Sequence, residues 1–141
     1  MKHSLIALAT LGLLIVGQPA NAADISATCR SSGQVGELIT CDTRKDFSFH
    51  SNGEDKEYSL FIRASEGHCS DVKFTIYSYN NRIIMGETDW LAPGQQGYAV
   101  IGGGMAEGTQ IVKVRADGRL GGCNTGRLGS WKANVRAWEI E

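Results

Sequence analysis

The chain has 141 residues, and its 14 Lys and Arg against 15 Asp and Glu leave a formal net charge of −1. That balance excludes a partner recognised through overall charge, and the length suits one domain with one core. Eighteen glycines, two prolines and no low-complexity run point to tight turns rather than to a flexible linker.

The first element is an export signal over residues 1–22. Lys2 and His3 give a basic start, Leu5 to Val16 an apolar run, and Ala20-Asn21-Ala22 the small-x-small pattern cut by signal peptidase. The run is shorter than the roughly 20 residues a spanning helix needs, and no second run follows, so no stable membrane insertion is expected. Residues 23–141 are then a single all-β domain, periplasmic or secreted, with nucleic acid excluded as a partner by that address.

Within the domain, strands are expected at Ile25 to Cys29, Glu37 to Cys41 and Asp46 to His50. Next comes a run in which Tyr58, Leu60 and Ile62 alternate with Ser59, Phe61 and Arg63. In the following one Val72, Phe74 and Ile76 alternate with Lys73, Thr75 and Tyr77. Such period-two alternation buries one set of side chains and leaves the other toward solvent. Arg82 to Glu87 and Tyr98 to Ile101 are shorter candidates. Val112 and Val114 alternate with Ile111, Lys113 and Arg115, and Trp131 to Ile140 closes the series. Asn52-Gly53, Asn80-Asn81 and Asp117-Gly118 carry hairpin-turn chemistry, and Pro93-Gly94 that of a type II turn. No stretch of the domain has helical spacing. Eight or nine short strands with turns between them predict an antiparallel two-sheet β-sandwich, with a small β-barrel as the alternative.

Four cysteines in an exported chain predict two disulfides. Cys29 and Cys41 lie symmetrically about the polar stretch from Ser31 to Gly36, so a hairpin there would set them face to face. Cys69–Cys123 follows by elimination. Zinc is disfavoured, because there is no C-x-x-C pair and only His50 and His68 remain after cleavage.

Chemistry-bearing patterns are sparse. There is no G-x-S-x-G elbow, and His50 and His68 are expected on loops. The acids Asp42, Asp46, Glu54, Asp55 and Glu57 alternate with Arg44, Lys45 and Lys56, which reads as a solvated rim without calcium-loop spacing. Gly102-Gly103-Gly104 lacks the G-K-[ST] and helix of a phosphate loop. No catalytic residue, metal or cofactor is therefore assigned.

What stands out is an asymmetry of charge. Lys113, Arg115, Arg119, Arg127, Lys132 and Arg136 are accompanied by one acid, Asp117, and Lys132, Asn134 and Arg136 share a strand face. Gly118-Arg119-Leu120-Gly121 recurs as Gly126-Arg127-Leu128-Gly129 around Cys123. Of Trp90, Trp131 and Trp138, at least one is expected in the core, while an exposed indole beside Asn and Arg side chains suits a sugar ring. The expected contact set is Arg119, Arg127, Ser130, Trp131 and Lys132. The function it points to is an exported, non-enzymatic binding protein of the bacterial envelope that contacts an anionic glycan or an envelope protein through the basic, glycine-rich C-terminal loops around Cys123. Two alternatives stand beside it: a periplasmic inhibitor or immunity-type protein that inserts a loop into an enzyme cleft, and an assembly subunit pairing through a sheet edge.

Overall fold

Nine strands and no helix make up the computed structural model, which describes residues 22–67, 70–80 and 82–140. The strands are β1 (Ala22–Arg30), β2 (Leu38–Asp42), β3 (Phe47–Ser51), β4 (Glu57–Ala64), β5 (Val72–Ser78), β6 (Ile84–Glu87), β7 (Gln96–Gly103), β8 (Gly108–Arg119) and β9 (Leu128–Ile140). Each stretch read from alternation lies within an observed strand. The export signal lies outside the described residues except for Ala22, as do His68, Cys69 and Asn81.

Pairing is antiparallel and nested. β1 pairs with β9, β2 and β3 both pair with β8, β4 with β7, and β5 with β6. The chain is thus one long ribbon whose tip is the β5–β6 turn, rolled into two sheets in the jelly-roll manner. Sheet I has the order β1-β9-β4-β7, and sheet II the order β2-β8-β5-β6 with β3 beside β2 along β8. Alternation delivers the core between them. Leu60 and Ile62 of β4, Phe74 and Ile76 of β5, Val112 and Val114 of β8 and Val135 of β9 point inward and are buried.

One side of the sandwich is closed by the bond Cys29–Cys41, with Cα atoms 5.5 Å apart. The pairing is the expected one, but not for the expected reason: β1 and β2 form no hairpin, lie in different sheets, and the bond ties the edge of one sheet to the other. Opposite, a Cβ on Gly86 of β6 would overlap the Val100 carbonyl of β7, so glycine allows the other two edges to meet. A disulfide suits an oxidising compartment. No helix among the described residues is long and apolar enough to cross a membrane.

The connections β1–β2, β4–β5, β6–β7 and β8–β9 meet at one end. There Ser31 N–H donates to the Arg127 carbonyl at 2.9 Å, Gly36 N–H to Leu120 at 2.9 Å, and Gly94 N–H to Ala64 at 3.0 Å. Pro93-Gly94 forms its turn as expected: Gly94 has φ +82° and Gln95 N–H donates to the Ala92 carbonyl at 2.9 Å. Asp117-Gly118 does not turn. Both residues lie inside β8, Asp117 facing Thr40 and Lys73 across the sheet. Gly118 is needed there for space, since a Cβ would run into the Trp131 ring.

Candidate binding face

The residues of the expected contact set do not converge. Trp131 is at 0 % exposure, its Nε1 donating to Ser70 Oγ at 3.1 Å and its ring lying against Gly118 and Gly129. It is core, and a buried indole touches no outside partner. One glycine of each Gly-Arg-Leu-Gly tetrad, Gly118 and Gly129, makes room for the ring. Arg119 ends β8 on the outside of sheet II, its guanidinium 4.6 Å from the centre of the Trp90 ring. Arg127 is exposed in the β8–β9 loop, held by its own carbonyl to Ser31. Ser130 and Lys132 remain, both on the outside of sheet I, where the Ser130 N–H donates to Asn124 Oδ1 at 2.9 Å.

The basic stripe itself divides. Lys113, Arg115 and Arg119 share the outward phase of β8, and Lys132, Asn134 and Arg136 that of β9, as alternation implies. But β8 and β9 belong to different sheets, so the two runs look away from each other across the core. His50 is likewise on a strand rather than a loop, exposed on the outside of β3 opposite Thr109.

On sheet II four cations have acid partners. Lys73 pairs with Glu87 at 3.7 Å, Arg82 with Asp42 at 3.3 Å, Lys113 with Asp46 at 3.2 Å and Arg115 with Asp117 at 3.3 Å. Rings take up these four and Arg119, which has no acid partner among the described residues: Arg82 and Arg115 both lie over Tyr77, Lys113 over Tyr79, and Lys73 and Arg119 over Trp90. Asp117, 6 % exposed, is the hub, accepting from Thr40 Oγ1 at 2.7 Å and Thr75 Oγ1 at 3.3 Å.

Sheet I is built from the same residue types with another outcome. Register sets Tyr98 opposite Phe61, Phe61 opposite Arg136, and Arg63 between Gln96 and Asn134. Phe61 stands edge-on to Tyr98 with centroids 6.1 Å apart, and tilted against Trp138 at 5.8 Å. Tyr98 is 62 % exposed, with Val100 exposed two residues on along β7 and Ile140 exposed at the end of β9. Trp138 Nε1 is buried and has no hydrogen-bond partner among the described residues. Further along β9, Ser65 N–H donates to the Lys132 carbonyl at 2.8 Å as the chain leaves β4. A groove of about 580 Å³ opens there, lined by Asp24, Ser26, Arg63, Glu66, Lys132 and Asn134. A smaller one of about 350 Å³ adjoins it through Ser65 and Lys132, reaching Ser130, Asn124 and Cys123.

Arg63 donates from Nη1 to the Gly94 carbonyl at 3.1 Å and from Nη2 to Gln96 Oε1 at 3.4 Å, both uncharged acceptors. Neither it nor Lys132 or Arg136 has an ion-pair partner among the described residues. Arg63, Phe61 and Tyr98 are the members that reading by composition missed. Their signal was available: an aromatic and a cation in the solvent phase of a strand whose other phase is wholly apolar.

No protein-family model and no curated protein matches this chain. Among solved structures a similar one is described as the structure of infectious bursal disease virus, Gx strain. It is 13 % identical with a TM-score of 0.34, over 86 % of this chain and 33 % of that one. The chain thus spans about a third of that neighbour's length.

Proposed function

We propose that this is an exported, non-enzymatic binding protein of the bacterial envelope, periplasmic or secreted, that takes an anionic partner on the outside of sheet I. One observation carries the reading. Arg63, Lys132 and Arg136 share a face with an open groove and have no carboxylate partner among the described residues, whereas Lys73, Arg82, Lys113 and Arg115 on the other face each have one. Unmatched cations raise the local potential and attract anions, while matched ones contribute little beyond their own pair. Export is supported by the signal pattern and by the Cys29–Cys41 bond. The reading includes a second bond, Cys69–Cys123, and a mature chain starting at Ala23.

The test uses that mature chain from the periplasmic fraction, titrated with two polyanions, polygalacturonate and polyglutamate. Replacing Arg63, Lys132 and Arg136 together by Ala should weaken binding about tenfold or more. The set Lys73, Lys113 and Arg119 changed to Ala should bind as the parent does. A parent that binds neither polymer, or a loss confined to the second set, overturns the assignment. An N-terminus other than Ala23, or a thiol that titrates in the unfolded, unreduced protein, overturns the export part.

A further inference from the structure

We infer that the ligand of sheet I is an acidic oligosaccharide, its sugar rings resting on Tyr98, Phe61 and Trp138 and its acid groups meeting Arg136, Arg63 and Lys132. This rests on the anion-binding reading above and narrows it to one chemistry. Three observations converge on it.

First, the rings of sheet I are unoccupied in a sense that those of sheet II are not. Each of Tyr77, Tyr79 and Trp90 has a Lys or Arg over it. Phe61 contacts both Tyr98 and Trp138, and none of the three carries a cation among the described residues. An aromatic face is electron-rich and favours the slightly positive C–H groups of a pyranose for the reason it favours a cation. Tyr98, exposed and edge-on to Phe61, presents that surface to solvent.

Second, the surroundings are polar where a sugar is polar. In the register row next to the aromatics stand Gln96, Arg63 and Asn134, in line across β7, β4 and β9. They offer forked donors and acceptors to the hydroxyls that rim a ring whose faces are apolar. An apolar protein surface would leave these groups desolvated without partners, which costs binding.

Third, the charges are spaced for a chain rather than for one residue. Arg136 lies opposite Phe61 and Lys132 is four residues away on the same phase of β9. At about 3.3 Å per residue that separation is about 13 Å. An extended chain bearing an acid on successive units can reach both ends of such a track, with the groove at Lys132 receiving the far end.

The experiment compares the mature chain and its variants on oligogalacturonate, neutral dextran oligomers and polyglutamate, with the thermal midpoint confirming the fold. The parent should bind oligogalacturonate more tightly than polyglutamate of equal charge, and both more tightly than dextran. Tyr98→Ala should weaken oligogalacturonate binding about three- to tenfold while leaving polyglutamate within twofold. Tyr98→Phe, which keeps the ring, should restore it, and Tyr79→Ala on the other face should change nothing. If polyglutamate binds as tightly as the sugar acid, or Tyr98→Ala binds oligogalacturonate like the parent, the sugar assignment falls while the anionic face stands, and an acidic protein becomes the partner. If no anion binds, both fall together.

Discussion

The two outer faces of this sandwich use the same residue types to opposite ends. Outside sheet II, cations, acids and rings interlock: Arg82 reaches over Tyr77 to Asp42, and Arg115 lies on the same ring while pairing with Asp117. Outside sheet I, Phe61 meets Tyr98 edge-on and Trp138 at a tilt, and Arg63, Lys132 and Arg136 have no acid partner among the described residues. A group whose field is matched a few ångströms away stabilises its own sheet and offers little to a visitor. One that is unmatched offers its field outward. Counting bases along the chain sees neither fact, because it is partnership rather than composition that separates the faces.

The largest break in the comparison should come from its two tyrosines. Tyr77 is 7 % exposed, enclosed by two guanidinium groups, and Tyr98 is 62 % exposed. Tyr77→Ala should lower unfolding free energy by about 3 kcal/mol, the low end for losing a buried aromatic. Tyr98→Ala should cost about 0.5 kcal/mol, as surface changes do. Urea denaturation of both variants measures the gap. Equal losses would mean that the outside of sheet II is no more a packed layer than that of sheet I.

Asp117 is the next lever. Removing its carboxylate strands the Thr40 and Thr75 hydroxyls and takes the acceptor from Arg115 Nη2, which donates to it at 3.5 Å. Asp117→Ala should therefore cost about 2 kcal/mol, the usual penalty for leaving partly buried polar groups unsatisfied. Asp24, which accepts from Asn134 Nδ2 at 3.1 Å on an exposed edge, should cost about 0.5 kcal/mol when changed to Ala. Chemical denaturation again decides, and an indifferent Asp117→Ala would remove the hub from the account of sheet II.

How far the sequence disclosed this is clearest from particular residues. Alternation placed β4, β5 and β8, because an apolar phase such as Tyr58, Leu60 and Ile62 has to face a core wherever the strand lies. It also told inward from outward for Lys132 and Arg136. What it could not tell is which sheet a strand joins, since β8 and β9 carry the same pattern and differ only in long-range pairing. That single missing fact turned two opposite faces into one basic stripe. Trp131 and Asp117-Gly118 were misplaced through one contact: the glycine that resembles a turn is the space into which the indole packs. The Cys29–Cys41 pair was legible because a short separation brings two cysteines together whether a hairpin or a sheet-to-sheet crossing lies between them.

The smallest effect is the most diagnostic of the comparison. Lys113 bonds to Asp46 and lies over Tyr79 with its ammonium 4.9 Å from the ring centre, whereas Lys132 has neither kind of partner among the described residues. Half-exposed pairs of this kind contribute about 0.2–1 kcal/mol, and salt screens them. Lys113→Ala should thus lower stability by about 0.5 kcal/mol at low salt, with the loss shrinking as ionic strength rises. Lys132→Ala should leave stability unchanged or raise it slightly at low salt, because Arg63 and Arg136 on the same face then repel one cation fewer. Relative to the parent, the thermal midpoint of Lys113→Ala should therefore recover as salt rises, while that of Lys132→Ala stays level or loses a small gain. Should Lys132→Ala destabilise the fold in the same salt-sensitive way as Lys113→Ala, its ammonium is partnered in solution, and the outside of sheet I is as self-satisfied as that of sheet II.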